Sequence, residues 1–159
     1  MKSFLKYRKT YKAGLLQSKA FRILKYRTNE VLKPFSINAT DWGVLGLLID
    51  DKEGVQLRVI AQEVGVKQPY ITRSIATLSA LGYVTLARSQ TDARAQIAFI
   101  TKTGTAFVQS TEKIVLKQLK ETFGNTSKLS LLGYVQTLDA IVSNAKDQYQ
   151  EVDLDHLSD

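Results

Sequence analysis

The 159-residue chain has no cysteine, one histidine, two prolines and one tryptophan. The missing cysteine excludes disulfides, thiolate metal sites and thiol redox sensing. His156 stands alone in the acidic segment EVDLDHLSD, with no second histidine at metal-ligand spacing, so it reads as a solvated residue. No carboxylate pair is forced together by spacing either. With no nucleophile, acid–base pair or metal cage in view, an enzyme is the reading the sequence supports least, and no metal or cofactor is expected. Long apolar runs are also missing. Nothing approaches the roughly 20 residues needed to span a bilayer, and the basic start MKSFLKYRKTYKAG lacks the apolar core of a signal peptide. A cytoplasmic protein with no membrane partner is the expectation.

Hydrophobic residues make up 44% of the chain, as in globular proteins, and the length suits one domain. The net charge of +7 is unevenly spread. Residues 1–33 hold ten Lys/Arg against Glu30 alone, whereas residues 34–55 hold Lys52 against four acids. Residues 56–101 carry five basic residues against two acids, and residues 102–159 carry six against eight. A surplus gathered at 1–33 and 56–101 favours a polyanionic partner, because neutralised phosphates release their condensed counterions. Charge alone is weak evidence, since many solvated helices are rich in lysine.

The most informative stretch is Leu57 to Thr101, LRVIAQEVGVKQPYITRSIATLSALGYVTLARSQTDARAQIAFIT. Its spacing predicts two short helices and a β-hairpin. Val59, Ile60 and Val64 give the first helix an apolar face. Gly65 follows at a position where positive φ is required and glycine adopts it freely. Pro69 suits the first turn of the second helix, where N–H groups have no helical partner. Ile71, Ile75, Leu78 and Leu81 form one buried stripe, which Gly82 ends. Gln68, Thr72 and Arg73 face away from that stripe, with Lys67 beside them and Pro69 in the same turn. Glutamine can pair with adenine and arginine with guanine in a major groove, and threonine offers a hydroxyl or a methyl. A solvated helix face is the plain alternative, but the hairpin argues against it. Tyr83–Arg88 and Ala95–Ile100 are strand-like and flank the polar SQTDARA. Arg94 suits a narrow minor groove, where negative potential concentrates. Asp92 is read as holding an arginine in place, and Arg88 as a phosphate contact.

This order of helix, glycine, helix, glycine, hairpin with D-x-R at its tip, then Thr101-Lys102-Thr103-Gly104 opening a long helix, resembles the MarR family of bacterial winged-helix transcription regulators. GVKQPYITRSIATLSALGYV is similar to that family's recognition helix, and PFSINATDWGVLGLL, with Trp42, to its entry into the preceding helix. The chain departs from the family pattern at Lys67, where a capping serine is usual, at Leu57, often polar, and at Ala93, which interrupts D-R-R. The resemblance implies an intertwined homodimer on double-stranded DNA, acting as a repressor released by a small phenolic or lipophilic effector. Lacking cysteine, the chain cannot be one of the family's thiol peroxide sensors.

Elsewhere, Leu16, Ala20, Ile23, Leu24, Arg27 and Val31 predict a basic amphipathic helix from about residue 11 to 33, stopped by Pro34. Such a helix could instead lie on a membrane surface, but its apolar row reads better as a packing seam. The preceding MKSFLKYRK is either an arm on DNA phosphates or a frayed end. Asn38 is the expected cap of the next helix, with Asp41 completing a near capping box. Trp42, Leu45, Leu48 and Ile49 form its buried face, Trp42 doubling as the candidate lining of a ligand pocket. Val55 is expected to pair with the hairpin. Thr101 should cap a helix to about Phe123 with Phe107, Ile114, Leu119 and Phe123 on its apolar side. After Gly124-Asn125, Ser127 should cap a last helix carrying Leu131, Val135, Leu138 and Val142. These outer stripes exceed what a small winged segment can cover, so a second copy of the chain is expected to take the rest.

The predicted fold class is therefore mostly α with a small β-hairpin wing, a winged helix-turn-helix at 38–101 within a single domain. Residues 11–33 and 102–148 form a helical dimerisation region, and 149–159 an acidic tail. The expected function is sequence-specific DNA binding in transcription regulation. The rival is a winged-helix module that binds protein and not DNA.

Overall fold

The computed structural model describes residues 10–89 and 95–148. The wing-tip residues Asp92 and Arg94, the basic start and the acidic tail with His156 lie outside the described residues. Among the described residues there are six α-helices and a three-stranded antiparallel sheet. The mostly α fold with a small winged sheet is as the sequence predicts.

Helix α1, Thr10–Leu32, ends in a 3-10 turn over Lys33–Phe35 that contains Pro34. Its apolar row is largely exposed: Leu16 and Ile23 face solvent, Leu24 and Val31 are half-buried, and only Leu32 is sealed. Asn29 accepts a hydrogen bond on Oδ1 from the Ala39 N–H at 2.7 Å, tying α1 to the start of α2, Ala39–Asp50. The α2 cap forms as the sequence indicates. Asn38 Oδ1 accepts from the N–H groups of Thr40 (2.8 Å) and Asp41 (3.2 Å), and Asp41 Oδ2 accepts from the Asn38 N–H at 2.9 Å. These bonds satisfy donors that no helical carbonyl can reach. Leu45 and Leu48 are buried with Val44, while Trp42 and Ile49 are half-buried.

Val55 and Gln56 form β1, which pairs with β3, Gln96–Ile100. β3 lies centrally between β1 and β2, Val84–Arg88, with Val84 opposite Ile100 and Arg88 opposite Gln96. The Ser89 N–H donates to the Ala95 carbonyl at 2.9 Å, carrying the hairpin one pair further. Helix α3, Leu57–Val64, buries Leu57, Ile60 and Ala61 and half-buries Val64, whereas Val59 is exposed. Its inward row therefore runs i, i+3, i+4, i+7 from Leu57, and Val59 lies off it. Gly65 adopts φ +71°, closing α3 as a left-handed cap.

Helix α4, Gln68–Ala80, turns Ile71, Ser74, Ile75 and Leu78 inward, with Leu81 half-buried at its cap. Thr101 opens α5, Lys102–Phe123, by accepting from the Gly104 N–H at 3.0 Å, and its hydroxyl donates to the Gly82 carbonyl at 2.7 Å. One threonine thus caps α5 and fastens it to the end of α4. Gly104 cannot be larger, because a Cβ there would run into the Tyr83 carbonyl oxygen. The buried row of α5 is Gly104, Val108, Thr111 and Val115. Phe107, Leu119 and Phe123 flank it, and Ile114, expected inside, is 46% exposed. Phe107 stacks on Tyr83 at 4.4 Å and meets Phe35 and Trp42 edge-on at 5.3 and 6.4 Å. That cluster joins the 3-10 turn, α2, α5 and the residue before β2, each aromatic pair adding about 0.5–1.5 kcal/mol beyond simple burial. Helix α6, Lys128–Gln148, starts at Ser127, whose Oγ accepts from the Ser130 N–H at 3.1 Å. Leu131 on it is half-buried, but Val135, Leu138 and Val142 are exposed.

Candidate nucleic-acid interface

The candidate face is the outer side of α4. Its inward residues seal against α2, α3 and the sheet, so the residues between them must point out. Gln68, Pro69, Thr72 and Arg73 are all exposed, on the first two turns of the helix. Lys67 stands at the N-cap with extended backbone angles and makes no side-chain cap bond. The departure from a capping serine thus leaves α4 without that local anchor, and Pro69 supplies the pre-set helical φ instead. The Thr72 hydroxyl donates to the Gln68 carbonyl at 3.2 Å, so its methyl and its remaining lone pairs are what it presents outward. Arg88 is exposed at the end of β2, next to the wing tip.

Gln68, Pro69, Thr72 and Arg73 thus share the front of α4 with Lys67 at its cap, and Arg88 is exposed separately at the end of β2. Asp92 and Arg94 fall in the undescribed segment. Trp42 is half-buried against Phe107. The cleft that opens beside the reading face has other walls. It holds about 500 Å³ and is lined by Lys25 of α1, Thr40 and Asp41 of α2, and Lys67, Tyr70, Arg73, Ser74 and Thr77 at the front of α4. Lys67 and Arg73 therefore border both the outer face and the cleft. Tyr70, 56% exposed, adds an aromatic ring there.

Sequence reasoning missed Lys25, Tyr70, Ser74 and Asp41 as members of this region. One signal was present: Ser74 has the phase of Ile71, Ile75 and Leu78, a polar residue inside an apolar stripe. Its hydroxyl donates to Asp41 Oδ1, and both residues are buried. Among the described residues no group of three or more His, Cys, Asp or Glu is placed to hold a metal. No described helix is long and apolar enough to cross a membrane.

Comparison with known proteins agrees with this geometry. The MarR family profile matches residues 35–95, from the turn before α2 into the wing. A MarR family transcriptional regulator from Rhodococcus sp. RHA1 superposes with a TM-score of 0.79 at 20% identity, over 85% of this chain and 95% of that one. CouR from Rhodococcus jostii RHA1, bound to p-coumaroyl-CoA, gives 0.74 at 21% identity, over 81% and 90%. A MarR family transcriptional regulator from Streptomyces coelicolor, in complex with DNA, gives 0.75 at 14% identity, over 88% and 91%. No curated protein sequence matches the chain. The resemblance read from the sequence holds: the fold is that of MarR family transcriptional regulators.

Proposed function

We propose, starting from a fold shared with MarR family regulators, that this protein is a dimeric, sequence-specific DNA-binding transcription regulator of the cytoplasm. The observation that carries the reading is the outer face of α4. Gln68, Thr72 and Arg73 stand exposed on a helix whose opposite side is sealed into the core. That is the chemistry and the rigidity that reading base edges requires. Gln68, Thr72 and Arg73 would meet bases, and Lys67, Arg88 and the turn at Pro69 the phosphate backbone. Arg94, braced by Asp92, would enter the adjoining minor groove.

One head reads one half-site. Two heads in a symmetric dimer place their recognition helices about 34 Å apart, in successive major grooves of a pseudo-palindrome. The exposed apolar residues of α1 and α6 are the surface available for that pairing, an unusual amount for a lone chain. As the family resemblance implies, the protein would act as a repressor. A small phenolic or otherwise lipophilic effector would then release it, by favouring a spacing of the heads that no longer fits the grooves. Trp42 is the residue proposed for an effector pocket. Support for a ligand comes from the similar fold of CouR, which was solved with p-coumaroyl-CoA.

The test is selection of bound fragments from random DNA, repeated across salt concentrations. Enrichment of a palindrome whose affinity falls with salt is the expected result. Absence of binding even at low salt would favour a winged-helix module that recognises protein.

A further inference from the structure

Asp41 is 3% exposed and Ser74 5%, and they sit 33 positions apart in the chain. A buried carboxylate is costly unless its oxygens find donors. Each oxygen of Asp41 has one: Oδ2 takes the Asn38 N–H at 2.9 Å, and Oδ1 takes the Ser74 hydroxyl. The first bond completes the cap of α2 and would form without Ser74. The second runs from the start of α2 to the inward stripe of α4. An alanine would satisfy packing at position 74, so what the serine adds is this directional bond.

Resting on the DNA-binding reading above, we propose that Asp41 and Ser74 are positioning residues. Their bond sets the rotation of α4 about its own axis on α2, and so the sequence preference of the head. Apolar contacts of Ile71, Ile75 and Leu78 are non-directional and permit small slips. A hydrogen bond to a charged acceptor is short, strong and directional. Ser74 adjoins Arg73 and lies two residues from Thr72. Helical side chains reach about 5–6 Å from the axis, so a roll of about 10° moves their tips by about 1 Å. That exceeds the roughly 0.5 Å within which a recognition constellation must be held. Phosphate contacts tolerate such a shift; bidentate base contacts do not. Losing the bond therefore removes discrimination before it removes binding.

The experiment compares a duplex enriched from a random pool by the wild-type protein with an unselected duplex of equal length. Ser74→Ala is expected to lower the ratio of the two affinities about ten-fold or more, the discrimination that one bidentate base contact carries. Affinity for the unselected duplex should stay within about two-fold. Ser74→Thr restores the hydroxyl at a position bordering the cleft, and should recover most of the ratio. Ile75→Val, which loosens the same stripe without touching the bond, should lower the melting temperature and leave the ratio unchanged. Equal losses on both duplexes for Ser74→Ala, or an equal loss of ratio for Ile75→Val, would show that the bond only stabilises the fold. A wild type that binds neither duplex at low salt overturns the DNA reading itself, whereas a discriminating wild type matched by Ser74→Ala overturns only the role of this bond.

Discussion

The winged segment and the outer helices differ in how far each satisfies itself. Between Ile37 and Thr101 the large apolar side chains that face inward are sealed: Leu45, Leu48, Ile60, Ile71, Ile75 and Leu78 are each at most 1% exposed. On α6 the apolar residues are mostly open, with Leu129 at 79% and Val135 at 60% exposed, and Leu16 and Phe21 of α1 behave alike. The head is a finished core. The outer helices leave apolar surface exposed among the described residues, and the proposed dimer would cover it with the same surface of a second copy.

If that contrast is right, the heaviest damage should follow from charging the unfinished surface. A Leu138→Glu/Val142→Glu double variant should leave the head folded but yield monomers in sedimentation. Affinity for a palindromic site should then fall about 10²- to 10⁴-fold, the loss that follows when two linked contacts become one. A dimer that survives this change would place the pairing surface elsewhere. Next in size is the finished core. Ile75→Ala should cost about 2–5 kcal/mol in denaturant unfolding, whereas Val135→Ala should matter only at protein concentrations where dimers form. An equal cost for both, independent of concentration, would erase the distinction between the regions. Arg73→Ala should weaken binding to the preferred site by about 1–3 kcal/mol and relax one position of the consensus, with little effect on unfolding. Smallest is the α2 cap. Asn38→Ala should lower stability by about 0.5–2 kcal/mol, read as a shift in melting temperature, and leave the oligomeric state alone.

The comparison also marks what was legible in the chain. Features that depend on a few adjacent residues appear in the structure as read: the Asn38–Asp41 capping box, Gly65 closing α3, Pro69 opening α4, and Thr101 capping α5. The pairing of Val55 with the hairpin, though longer in range, also appears, with Gln56 extending it. What failed was the choice of face on helices apolar on more than one side. Val59 and Ile114 are as hydrophobic as Leu57 and Val108, and only the direction of the neighbouring elements decides which pair is covered. On α6 the reverse holds: the periodic row is present, but Val135, Leu138 and Val142 on it stay exposed among the described residues. The exposure of Gln68, Thr72 and Arg73 was legible along α4, because a helix with one apolar stripe leaves its other residues outside. The cleft and the bond from Ser74 to Asp41 were not, since they join residues far apart in sequence through a geometry that no local pattern encodes.

The central claim is a pair of heads reading one duplex, and footprinting on a selected site with measured stoichiometry tests it most directly. Two chains per site are predicted, protecting two major-groove segments about 10–10.5 base pairs apart on one face of the duplex. Protection of a single segment by one chain, or a stoichiometry that does not change when α6 is charged, would contradict it.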